Sequence, residues 1–143
     1  MKINFQKAIL AGVVGTVAFD LLGFGITGAF WDIPSLLSGK LAAPFVAGVG
    51  LHYTIGVTLA VIYGALAPSL PGNRWVKPLV FMTAQTVLGV WLFMMPLLGA
   101  GVLGLGASAA FPVISLVRHW AYGLALGAFY PVDDAKFEQA LAV

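Results

Sequence analysis

Residues 47–64 read AGVGLHYTIGVTLAVIYG, and residues 115–131 read SLVRHWAYGLALGAFYP. Setting His52 on His119 aligns an aromatic residue after each (Tyr53, Trp120), Gly56 with Gly123, Leu59 with Leu126, small Ala60 with Gly127, and Tyr63 with Tyr130. The two histidines of the chain therefore hold equivalent places in two apolar segments. Each segment is uninterrupted by charge on its C-terminal side and is long enough for a helix that crosses a bilayer core of about 30 Å. The reading of this pair decides the fold class: membrane helices, arranged as a repeat.

The composition agrees. Of 143 residues, 61% are hydrophobic and only 8% are charged, against roughly 25% charged in a soluble domain. Four runs of spanning length follow in order, at about 8–29, 45–66, 76–97 and 111–130, with a short tail at 131–143. Helices satisfy their backbone groups internally, and the alternation of a barrel strand is missing. The predicted fold is all-α: one integral membrane domain over residues 1–143, a four-helix bundle built by tandem duplication of a transmembrane hairpin. The match is close between the second and fourth spans and poor between the first and third. A basic start before an apolar run also fits a signal peptide, but Asp20 inside the run and its length favour a span.

Between the runs, residues 30–44 (FWDIPSLLSGKLAAP) read as a loop with turn chemistry at Asp32, Pro34, Ser38 and Gly39, part of it lying on the membrane surface. Residues 67–75 form a tight turn, and 98–110 a glycine-rich connection. Beyond Pro131, Asp133 or Asp134 caps a short helix with Phe137 and Leu141 on one side. Lys2, Lys7, Arg74, Lys77 and Lys136 fall on the side of the N-terminus and only Lys40 on the other, which predicts cytoplasmic termini.

DIPSLLSG, LHYTIG, MPLLGAGVLGLG and RHWAYGLALGAFYP together resemble an uncharacterised family of small bacterial four-span membrane proteins of unknown function. The resemblance implies a bacterial inner or intracytoplasmic membrane and brings no activity with it.

Counting from the span ends at 1.5 Å per residue places Asp20, His52, Arg118 and His119 at one level, roughly 10 to 14 Å from the non-cytoplasmic face. Ionisable groups at that depth face the bundle interior and pair, so Asp20 and Arg118 are expected to compensate each other. Small residues recur at steps of four beside the histidines: Gly48, His52, Gly56, Ala60, Gly64 and Ser115, His119, Gly123, Gly127. Two readings of these stripes stand open. One is close helix packing. The other is a tetrapyrrole site, with His52 and His119 as axial ligands of a haem or chlorophyll and Gly56 and Gly123 leaving room for the ring. A metal ion on His52, His119 and Asp20 is opposed by Arg118. A proton path would run through Asp20, His52 and the Thr83, Gln85, Thr86 group.

Net charge is +2, too small and scattered for nucleic acid, and the chain has no Cys for thiolate chemistry. Ser35 and Ser38 have no triad partners by sequence, and GAGVLGLG lacks the context of a nucleotide loop. The expectation is a non-enzymatic membrane subunit in contact with lipid and with other membrane subunits or further copies of itself. A bis-histidine electron- or energy-transfer protein is second, and a small transporter or channel third.

Overall fold

The computed structural model describes residues 3–132. Lys2, Lys136 and the expected tail helix with Asp133, Asp134, Phe137 and Leu141 lie outside the described residues. The described chain is helical and holds no strand. We number its helices α1 (Phe5–Thr27), α2 (Asp32–Lys40), α3 (Phe45–Leu66), α4 (Val76–Leu97) and α5 (Phe111–Phe129).

Three of them, α1, α3 and α4, are long and apolar enough to cross a membrane. The fourth long helix, α5, has 19 residues, but Arg118 and His119 at its middle depress its hydropathy. Three helices of spanning length and hydropathy are thus present among the described residues. Many large apolar side chains on their outer faces, such as Leu88, Leu92 and Phe93, are exposed, which suits lipid as the surrounding solvent.

The helix limits follow local chemistry. Asn4 caps α1, its side chain accepting from Lys7 N–H at 3.0 Å. Gly28, at φ 72°, supplies the left-handed residue that ends it and donates its N–H to Phe24 C=O. The expected loop at 30–44 is instead largely helical. Asp32 starts α2 by accepting Ile33 N–H at 2.8 Å, Pro34 sits in the first turn where no N–H is needed, and Ser38 Oγ donates to Ser35 C=O. Of the expected turn residues, Asp32 and Pro34 lie in the first turn of this helix and Ser38 and Gly39 in its last.

In space the order is α3, α1, α5, α4. The α1–α5 contact is the most extensive, α1 also packs on α3, α4 packs on α5, and α2 lies against α3. Helices α3 and α4 close this ring only loosely. They meet near the 67–75 turn, where the Tyr63 and Phe81 rings are 5.6 Å apart. Farther on, α4 changes pitch: residues 86–94 are π-helical, and Met95 N–H donates to Val90 C=O, five residues back. At the other end Lys40 Nζ, at the end of α2, donates to Leu98 C=O at 2.8 Å.

Candidate functional site

Asp20, His52, Arg118 and His119 are each at least nine-tenths buried, and they gather around the ring of Phe19. The Phe19 ring lies 5.7 Å from the His52 imidazole and 4.9 Å, edge to face, from that of His119. The Arg118 guanidinium stacks over the same ring at 4.1 Å. Phe19 comes from α1, His52 from α3, and Arg118 and His119 from α5, so the α1–α5 and α1–α3 contacts assemble the cluster.

The Asp20–Arg118 ion pair expected from sequence is present, at 3.9 Å, but each partner has a closer contact elsewhere. His52 Nε2–H donates to Asp20 Oδ1 at 2.9 Å. Arg118 makes a two-pronged contact with Asp32, Nη1 to Oδ2 at 2.6 Å and Nη2 to Oδ1 at 2.9 Å, and stands 3.9 Å from Asp20 Oδ1. Arg118 is thus shared by two carboxylates, and Asp32 is its hydrogen-bonded partner. A planar guanidinium favours that fork geometry. Gly23 makes it reachable, because a Cβ there would run into the guanidinium. Burial alone would raise the Asp32 carboxyl. The hydrogen bonds and charge of Arg118, helped by Ile33 N–H and the nearby His52, outweigh it and hold Asp32 below its usual range.

Asp32, the partner that the sequence reading placed in a turn, carried one weak signal. Of the five acidic residues only Asp20 and Asp32 precede the C-terminal tail. Phe19, Gly23 and Tyr122 carried no sequence signal that distinguishes them from other apolar positions.

The small-residue stripes are contact surfaces. A Cβ on Gly48 would meet Pro34 C=O of α2, and one on Gly56 would meet Thr16 Oγ1 of α1. Gly56 C=O also accepts from Tyr122 Oη at 2.5 Å. On α5, a Cβ on Gly123 would lie 3.2 Å from both Met82 Cγ and Pro78 C=O of α4. The faces of Gly56 and Gly123 are therefore filled by neighbouring helices, and His52 Nε2 is engaged by Asp20. These residues do not fit a macrocycle held between two axial histidines. Nor do the threonines of α4 form a relay: Thr83 and Thr86 each donate to a carbonyl of their own helix.

Beside the charged cluster, in the loose α3–α4 seam, lies a partly open cavity of about 340 Å³. Ile55, Gly56 and Leu59 line it from α3, and Gln85, Val90, Met94 and Met95 from α4. Ile33, Leu36 and Leu37 of α2 bound it, and Ser115, Arg118, His119 and Tyr122 of α5 form its back. The π-helical stretch supplies much of the α4 wall.

The chain belongs to DUF6789, a family of unknown function, whose model matches residues 3–138. No curated protein and no solved structure matches it.

Proposed function

Since membership of that family carries no activity, we propose a function from the site itself: a membrane-embedded binding protein that holds a small amphiphile in the α3–α4 cavity. One observation carries the reading, the apolar chamber of about 340 Å³ with a polar layer on one wall. Its size falls in the range of about 300 to 1,000 Å³ typical of small-molecule sites, and such sites combine apolar walls with a few placed polar groups. The loose α3–α4 seam offers a way in from lipid. The ionisable side chains support binding over catalysis. His52 is engaged with Asp20 and Arg118 with Asp32, so these pairs are held in place as part of the structure.

In this reading α5 is the fourth span, both termini are cytoplasmic, and α1–α3 and α4–α5 are duplicated hairpins. Three features support the duplication. Gly56 packs on α1 and Gly123 on α4, each on the other long helix of its own hairpin. The Tyr63 and Tyr130 rings, equivalent in the sequence match, lie 6.1 Å apart. Both histidines touch one phenylalanine. A role as a subunit of a larger complex is compatible with this but draws only on apolar outer faces, which lipid also explains.

The test is native mass spectrometry of the protein extracted with its surrounding lipid. A small amphiphile should accompany the wild type. Ile55→Trp, which fills the chamber from α3, should release it while leaving the elution volume unchanged. Equal retention by both proteins, or no retained molecule and no saturable uptake of an added one, would sink the reading.

A further inference from the structure

Two acceptors of the chamber wall, on His119 and Gln85, define the headgroup it takes. His119 lines the chamber. Its Nδ1 lies 2.6 Å from Ser115 C=O; a carbonyl only accepts, so Nδ1 carries the proton. No carboxylate contacts this ring among the described residues. Nε2 is left with its lone pair. Gln85, at the start of the π-helical stretch, also lines the chamber, and its buried Oε1 has no hydrogen-bond partner among the described residues. A buried acceptor without a partner is costly, and a ligand that donates to it removes the cost.

Most donors of the same wall are spent, Arg118 Nε excepted, which is buried and has no hydrogen-bond partner among the described residues. The terminal nitrogens of Arg118 are on Asp32, Tyr122 Oη is on Gly56 C=O, Thr16 Oγ1 is on Gly12 C=O, and Ser115 Oγ is on Pro112 C=O. Charge points the same way. The single guanidinium faces two carboxylates, Asp32 in direct contact and Asp20 at 3.9 Å, which leaves no spare cation for a phosphate or carboxylate headgroup.

We infer that the chamber selects a neutral, hydroxyl-bearing amphiphile, whose O–H donates to His119 Nε2 with Gln85 Oε1 as the second acceptor and whose apolar body lies among Met82, Met94, Met95 and Leu59. This rests on the amphiphile-binding reading above. The body can be a phenol-type ring or a prenyl-type chain. A ligand with only carbonyl oxygens, such as the oxidised form of a quinol, has no proton to give to His119 Nε2 and binds more weakly.

The experiment uses the full chain in mild detergent, labelled with ¹⁵N histidine. The chain has two histidines, so His52, held by Asp20, is an internal control. The probes are 1-naphthol, 1-methoxynaphthalene, 1-naphthoate and geraniol. 1-Naphthol should bind about five- to tenfold tighter than 1-methoxynaphthalene, the span of one hydrogen bond, and should shift the unprotonated Nε2 resonance of His119 but not the ring of His52. Naphthoate should bind no better than the methoxy compound. Competition between naphthol and geraniol assigns the body as ring or chain, with the hydroxyl retained in either case. His119→Phe should reduce the naphthol preference to within about twofold, and His119→Gln, which keeps an acceptor, should restore part of it. Equal binding of naphthol and methoxynaphthalene with an unmoved Nε2 resonance overturns the headgroup assignment and leaves the chamber in place. If no probe binds saturably and Ile55→Trp changes nothing, the chamber reading itself fails. The resonance readout on the unmutated protein decides the matter if a variant does not fold.

Discussion

At the scale of single residues, Arg118 is the group on which the interior depends. Replacing one partner of a buried pair leaves the other charge uncompensated, at about 3 to 5 kcal/mol. Arg118→Gln should destabilise by that order in a detergent unfolding assay. Adding Asp32→Asn should recover more of the loss than adding Asp20→Asn, because Asp32 is hydrogen-bonded to the guanidinium and Asp20 stands at 3.9 Å. Equal recovery would mean that the guanidinium does not prefer Asp32. Acid gives a second handle. The folded Asp32 carboxyl is held below its ordinary value, so the stability it adds is complete above the unfolded value of about 3.9 and is lost as pH falls through the folded one. Melting temperature should show no pH dependence from this pair between about pH 8 and 5, where its contribution is complete. An acid limb below about pH 4 should be present in the wild type and weaker in Asp32→Asn. The level of this cluster was readable from counting along helices. Its pairing was not, because depth along a helix says nothing about which residue an adjoining short helix brings back to the bundle.

At the scale of elements, the glycines separate helix packing from mere composition. Gly56 and Gly50 lie on the same helix, yet a Cβ on Gly56 would strike Thr16, whereas one on Gly50 would meet nothing within 4 Å. Gly56→Ala should cost about 1 to 3 kcal/mol by forcing α1 and α3 apart, and Thr16→Ala in the same chain should return part of it. Gly50→Ala should stay within about 0.5 kcal/mol of wild type. Similar melting shifts for the two alanines would contradict the α1–α3 contact. The limits of α3 and α4 coincide with their apolar runs, since a span is set by the bilayer and not by tertiary detail. Two elements escaped. Asp32 and Pro34 serve a helix start as well as a turn, and only packing against Gly48 settles which. The π-helical pitch of 86–94 leaves no mark in composition, because it arises where α4 leaves α3 and follows α5 around a space.

At the scale of the whole molecule, the proposed topology places the 67–75 turn and the 98–110 connection on opposite sides of the membrane. Single cysteines at Asn73 and Gly101 should therefore react with an impermeant thiol reagent from opposite faces of sealed vesicles, and reaction from one face would reject the layout. Arg118 then bears on how the chain is made. The insertion machinery passes helices into lipid as they emerge, and α1, α3 and α4 are apolar enough to partition unaided. An arginine at the centre of α5 opposes partitioning by about 2.5 to 3.5 kcal/mol. Its counter-ions, Asp20 and Asp32, sit in segments synthesised earlier. In the proposed four-span topology, helix α5 waits at the insertion site until the first hairpin offers it a carboxylate, which makes that hairpin the receptor for the fifth helix and orders biogenesis from the N-terminal half. A chain altered at both Asp20 and Asp32 would go wrong on the ribosome, with α5 left outside the bilayer, before the finished bundle existed to be unstable.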